Sequence, residues 1–146
     1  MIHNTAIIDP KAKISSGVSI GAFTVIGPNV EIGENTIIQS HVSIIGNTKL
    51  GKNNKIKPYA SIGNDPQDLK FEGGPTFLEI GSRNKIRESV SINPRTKGGG
   101  GITKIGDDCL FMLGSHVGHD CKVGNNVVMT NNSALAGHVI VQDRVI

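Results

Sequence analysis

The chain has 146 residues and a formal net charge of +3, with 19 glycines, no tryptophan and 3% aromatic residues. So few rings and so mild a basic excess exclude a dedicated nucleic-acid binder, which needs a concentrated cationic footprint and surfaces on which bases stack. No apolar run approaches the ~20 residues that span a bilayer, and Met1-Ile2-His3-Asn4 lacks the basic-then-apolar layout of a signal peptide, so a soluble, cytoplasmic protein with no transmembrane segment is expected.

From the N-terminus the chain repeats every six residues. Ile2, Ile8, Ile14, Ile20, Ile26, Ile32, Ile38, Ile44, Leu50, Ile56 and Ile62 form a run without a miss. Four residues after each of them falls a second register that is mostly small or β-branched, from Ala6, Ala12, Val18 and Thr24 through Val42 and Thr48 to Ala60. Positions four and six of a hexad are two apart, so in a strand both point to one face. Glycine follows the ladder residue at Gly21, Gly27, Gly33, Gly51 and Gly63, where a chain that turns a corner has little room for a side chain. Three such sides make a triangular coil of eighteen residues, and coils stacked at about 4.8 Å cover one another's strand edges.

The ladder breaks twice. Between Asn64 and Glu79 the hexads vanish, and Ile80 lies eighteen residues after Ile62, which reads as a segment replacing part of the coil without loss of phase. The pattern resumes at Ile80, Ile86 and Ile92, breaks again over Asn93 to Lys104 with its run Gly98-Gly99-Gly100-Gly101, and restarts one residue out of phase at Ile105. Loops ejected from the prism are therefore expected at 63–79 and 93–104, and loops on a rigid scaffold are where specificity resides. The chain reaches Ile146 directly after a hexad with no polar cap, so the single β-helix domain, 1–146, is expected to be truncated.

Chemistry concentrates in Ser115-His116-Val117-Gly118-His119-Asp120-Cys121. His138 falls nineteen residues after His119, so it is expected on the next coil and one step along, and His116, His119 and His138 should gather near one corner of the prism. An imidazole with an ordinary pKa of about 6.5 can take a proton from an alcohol at neutral pH if a partner fixes its tautomer. Asp120 is the candidate partner, provided that it sits at a corner, because neighbours along a strand point to opposite faces. Cys109 and Cys121 fall in the inward register and are expected to be reduced core thiols.

The pattern of aliphatic, glycine, two variable residues, small residue resembles the bacterial hexapeptide-repeat proteins, and that resemblance implies an all-β fold, a left-handed parallel β-helix. Within that class, Gln67-Asp68-Leu69-Lys70, Ile86-Arg87-Glu88-Ser89-Val90, Gly99-Gly100-Gly101-Ile102-Thr103-Lys104, His116-Val117-Gly118-His119-Asp120-Cys121 and Asn131-Asn132-Ser133-Ala134-Leu135-Ala136-Gly137-His138-Val139 resemble the UDP-N-acetylglucosamine O-acyltransferases that open lipid A biosynthesis. The resemblance implies transfer of a 3-hydroxyacyl group from acyl carrier protein to the sugar 3-hydroxyl. It further implies His119 as general base, Asp120 as its orienting partner and the Gly137 N–H at the oxyanion. Gln67, Asp68, Lys70, His116 and His138 match substrate-binding positions. No cofactor and no metal are implied, and a homotrimer is, with Lys70 of one subunit facing His119 of another. Asn93-Pro94-Arg95-Thr96 departs from the family's His-Arg-Gly-Thr, and the later coils and helical C-terminal domain of the family have no counterpart here. Lys49, Lys52, Lys55, Lys57, Arg83, Lys85 and Arg87 are expected to form a basic flank that docks the acidic carrier.

Three other readings stay open from sequence: the related N-acyltransferase of the same pathway, a zinc-dependent trimer like the carbonic anhydrases of this fold with His116, His119 and His138 as ligands, and an inactive structural fragment.

Overall fold

The structure, a computed structural model, describes residues 1–97 and 101–146, so Gly98, Gly99 and Gly100 of the glycine run lie outside it. Regular structure among the described residues is strand alone, in three parallel sheets that the chain visits in rotation. Sheet 1 holds Ile7–Ile8, Val25–Ile26, Ser43–Ile44, Ser61–Ile62, Ser91–Ile92, His116–Val117 and Ala134–Leu135. Sheet 2 runs from Lys13–Ile14 through Asn47–Leu50, Phe77–Ile80, Thr103–Ile105 and Lys122–Val123 to Ile140–Val141, and sheet 3 from Ser19–Ile20 to Val128–Met129. The fold is a left-handed parallel β-helix.

Each strand is short because the chain turns every six residues, and the strand's two inward residues fill the prism. Ile44, Ile62, Ile92 and Val117 stack in register along sheet 1, all fully buried. Burying an isoleucine contributes about 1.5–3 kcal/mol, so the isoleucine ladder is the main source of cohesion. Cys109 and Cys121 point inward, as their register requires, and are unpaired and buried. Burial pushes both thiols above their ordinary pKa.

The first break is an insertion, not a replacement. Ile80 pairs with Leu50 and Ile92 with Ile62, each thirty residues apart where a plain coil would give eighteen, so twelve residues are added to a single side of the triangle. The stems meet at Gly46, where an added Cβ would lie 2.9 Å from the Gly63 carbonyl oxygen and 3.3 Å from Thr76 Oγ1. The second break adds seven, since Ile105 follows its partner Ile80 by twenty-five residues. Both loops end before their expected limits, because Phe77–Ile80 and Thr103–Ile105 already belong to sheet 2. Leu78 and Thr103 take the inward small-residue place there, aligned with Thr48. A leucine in that place hides the hexad from the sequence pattern.

Both loops leave the prism where sheet 1 passes to sheet 2. His119 and Asp120 turn that same corner on the following coil, and Gly137 and His138 on the one after. Four consecutive coils thus bring two loops, a histidine–aspartate pair and a further glycine–histidine pair to one edge.

Candidate active site

Asp120 answers the condition set by the strand geometry. It sits in the corner at φ 61°, a left-handed conformation that aspartate tolerates better than most residues, and this turns its carboxylate back beside His119. His119 Nδ1 lies 2.8 Å from Asp120 Oδ2. An ionised carboxylate accepts only, so in the neutral imidazole Nδ1 carries the proton and Nε2 presents a lone pair.

Asp120 is held from every side. It is 4% exposed, its own N–H donates to Thr103 Oγ1 at 2.8 Å, and its carboxylate accepts Thr96 Oγ1–H at 2.8 Å and the Thr96 N–H at 3.1 Å. Burial pushes the carboxyl up, but the hydrogen bonds from His119 and Thr96 and the nearby His138 outweigh it and hold the group below the ordinary aspartate range. Sequence reading leaves Thr96 outside the site. The only signal for it is that it alone keeps the family's residue in the run that otherwise departs.

His138 occupies the corner position of the next coil at φ 64°, with its ring edge-on to His119 at a centroid distance of 5.2 Å and its Nε2 3.7 Å from Asp120 Oδ2. Its backbone N–H donates to the His119 carbonyl at 2.9 Å. Gly137 lies directly against the imidazole: an added Cβ would fall 2.4 Å from His119 Cε1 and 2.5 Å from Nε2. Its N–H donates to no protein acceptor among the described residues.

The first loop folds back over this edge. Asp68 Oδ2 lies 3.9 Å from His119 Nε2, and Asp68, Lys70, Thr96, Lys97 and His138 line a cleft of about 420 Å³. A second cleft of about 420 Å³ is lined by Gln67, Asn93, His116, Gly118, His119 and Gly137 among others. Within its own chain, Lys70 lines the first cleft with Asp68, Thr96 and His138. Asn93, at the start of the departing run, accepts the Gln67 N–H through Oδ1 at 3.3 Å and so anchors the first loop.

His116 stands slightly apart, on the sheet 1 strand, with Nδ1 2.7 Å from Ser91 Oγ. Burial lowers its pKa below the ordinary histidine value; the Ser91 contact opposes this and His119 adds to it, so the ring is neutral at neutral pH. Among the described residues, those that bring metal-ligating atoms within 4.8 Å of one another are His119, Asp120 and His138, and His116 is not among them. Within the single chain, then, the three imidazoles do not converge as one ligand set.

The expected basic flank is altered too. Arg83 is held by Asp108 at 2.9 Å and Arg87 by Glu88 at 2.9 Å, while Lys55 and Lys85 lie on sheet 3, across the prism from His119. On the site's own side, Lys104 and Lys122 are cross-strand neighbours in sheet 2. Among the described residues no helix is long and apolar enough to cross a membrane.

Comparison with known proteins agrees with this architecture. The model of the bacterial transferase hexapeptide (six repeats) matches residues 11–46 and 29–64. An acyl-[acyl-carrier-protein]–UDP-N-acetylglucosamine O-acyltransferase of Stenotrophomonas maltophilia is 61% identical over 145 residues, 99% of this chain and 55% of that protein. The protein of the same name from Herminiimonas arsenicoxydans is 57% identical over 98% of this chain and 55% of its own length. Among solved structures, the UDP-N-acetylglucosamine acyltransferase of Francisella novicida superposes with a TM-score of 0.94 at 46% identity, over 98% of this chain and 52% of that one. LpxA of Acinetobacter baumannii gives 0.92 at 46% identity over 95% and 54%. The chain spans about half the length of these relatives. Identity at this level over nearly every residue, with a coincident fold, places the chain in the UDP-N-acetylglucosamine O-acyltransferase family of hexapeptide-repeat proteins.

Proposed function

We propose that this edge of the prism is the transfer centre of an acyl-carrier-protein-dependent O-acyltransferase acting on UDP-N-acetylglucosamine, the first step of lipid A biosynthesis. The observation that carries the reading is His119, with Nδ1 bonded to a buried carboxylate and its ring lining an open cleft. Nε2 takes the proton of the sugar 3-hydroxyl as its oxygen attacks the thioester carbonyl of the 3-hydroxyacyl carrier. Asp120 stabilises the imidazolium that forms. The Gly137 N–H, lacking a protein acceptor and lying against His119, donates to the oxyanion of the tetrahedral intermediate. Collapse breaks the carbon–sulfur bond, and the carrier thiolate leaves with the proton that His119 returns.

Asp68, Lys70 and Gln67 descend from the first loop onto the clefts, where Lys70 suits the diphosphate and the two polar side chains suit the sugar. His116, neutral and tethered to Ser91, binds as a hydrogen-bonding wall, and His138 closes the edge. Lys104 and Lys122, like charges on adjacent strands beside the site, suit an acidic carrier.

A homotrimer is supported by the outward column of sheet 1. It reads Ile7, Val25, Ser43, Ser61, Ser91, His116 and Ala134, with no lysine, arginine or carboxylate, whereas sheet 2 presents Lys13, Glu31, Lys49, Glu79, Lys104 and Lys122 before it ends in Ile140. A flat uncharged face beside the clefts suits a neighbouring subunit. Free buried cysteines suit the reducing cytoplasm.

The test is transfer of labelled 3-hydroxyacyl from acyl carrier protein to UDP-N-acetylglucosamine, with sedimentation of the same preparation. The chain is expected to sediment as a trimer and to transfer, and His119→Ala to lose at least ~100-fold in rate. Transfer that survives in His119→Ala would sink the general-base assignment.

A further inference from the structure

The second loop departs from the family's pattern where it joins the prism, and both of its stems hydrogen-bond to Asp120. Thr96, on the outgoing stem and 8% exposed, donates both its hydroxyl and its amide to the carboxylate, the hydroxyl at 2.8 Å to the same Oδ2 that accepts from His119. Thr103, on the returning stem and fully buried, accepts the Asp120 N–H at 2.8 Å. The outgoing stem is itself fixed to sheet 2. The Arg95 N–H donates to the Phe77 carbonyl at 3.0 Å, and the Arg95 guanidinium lies 4.8 Å above the Phe77 ring. Thr96 therefore has no freedom to follow Asp120 if the carboxylate turns.

We propose that Thr96 is a positioning residue, which fixes the rotation of the Asp120 carboxylate and thereby the tautomer of His119. Three donors converge on two oxygens, so the carboxylate has one orientation in which all are satisfied. In that orientation Oδ2 faces His119 Nδ1. Without the Thr96 hydroxyl the carboxylate can rotate about its Cβ–Cγ bond towards His138, whose Nε2 lies 3.7 Å from Oδ2. His119 Nδ1 then loses its acceptor, and the proton moves to Nε2, the tautomer that cannot take a proton from an alcohol there. The kinetic consequence rests on the general-base reading of His119, whereas the tautomer does not.

The two can be read apart in the 146-residue chain labelled with ¹⁵N-histidine. At neutral pH the wild-type spectrum is expected to show His119 protonated on Nδ1 with a bare Nε2. Thr96→Val, nearly isosteric and lacking the hydroxyl, should show a mixture with the Nε2–H form, and Thr96→Ser should restore the wild-type spectrum. Transfer should follow, with kcat down about tenfold in Thr96→Val, as for one lost charge-assisted hydrogen bond, and KM for the nucleotide sugar within about twofold. Thr96→Ala provides the same comparison should the valine variant fold poorly, as judged by circular dichroism. A wild-type tautomer in folded Thr96→Val and Thr96→Ala would overturn the assignment. A Thr96-dependent tautomer in a chain that shows no transfer would sustain it and overturn the proposed function instead.

Discussion

Gly137 shows at a single position why the site tolerates so little change. It does not adopt the left-handed conformation that makes some glycines obligatory, so alanine would meet no backbone penalty there. The constraint is the His119 ring, which fills the space a Cβ would need. Gly137→Ala must displace the imidazole, and misplacement by about 1 Å costs roughly 100-fold in rate. Transfer is expected to fall by about that factor while the melting temperature moves by no more than about 2 °C; a rate within threefold of wild type would show that the ring has room to yield. Acid brings out Asp120 and His116 in turn. The pKa of His116 in the folded chain lies below its ordinary value, so the native state loses stability as pH falls through the ordinary histidine range, near 6.5. Asp120 is also depressed, so its charge stabilises the fold above the ordinary aspartate range, near 4, and that contribution is lost as pH falls through the still lower folded value. Melting of Asp120→Asn from pH 7 to 3 should keep the first decline and lose the second. A profile parallel to wild type would mean that the carboxylate is not linked to folding.

At the scale of strands and corners, what the sequence discloses depends on whether a position repeats. The ladder and its small-residue register repeat, so the three-sided coil, the inward cysteines and the clustering of His119 with His138 follow from spacing alone. Asp120's place is legible only once the corner is known, since in a flat strand it would face away from His119. Thr96 and Asn93 are not legible, because they act across a loop whose path no period fixes. Neither is the polar ladder under the corner between sheets 2 and 3. Asn54 and Asn84 fill inward places that elsewhere hold threonine or valine, and both are fully buried. Asn54 Nδ2 donates to the Gly51 and Gly81 carbonyls, and its Oδ1 accepts the Asn84 N–H. Asn84 repeats the move one coil on, donating to the Gly106 carbonyl at 3.0 Å and accepting the Cys109 N–H at 2.8 Å. The amides thus satisfy backbone groups that each turn leaves open, in the manner of buried water but with a fixed partner. Asn84→Ala orphans two buried groups, at about 1–3 kcal/mol each. Urea unfolding at constant oligomeric state should show a loss of about 2–5 kcal/mol, and a loss below about 1 kcal/mol would mean that water takes over both bonds.

For the molecule as a whole, the contrast between insertion and replacement decides how the prism and the site depend on each other. A stacked coil contacts only its neighbours, so its register is set locally and can be tested locally. Removing residues 64–75 joins Gly63 to Thr76 and leaves Ile62 six steps from Ile80, with Leu78 in the inward place and Glu79 facing out, which is an ordinary hexad. The stems already meet at Gly46, so the new bond spans a short gap. Closing a loop of a few residues in place of a long one also lowers the entropy cost of folding slightly. The shortened chain is therefore expected to keep its β-sheet circular dichroism, its melting temperature within about 5 °C and its oligomeric state. It is equally expected to lose transfer, because Gln67, Asp68 and Lys70 leave with the loop while His119, Asp120 and Gly137 remain. Were the segment instead part of the coil, every strand after Ile80 would lose its partner and the chain would not fold. Folding retained and transfer abolished is thus the joint outcome that separates scaffold from site, and unfolding of the shortened chain would overturn the topology on which both rest.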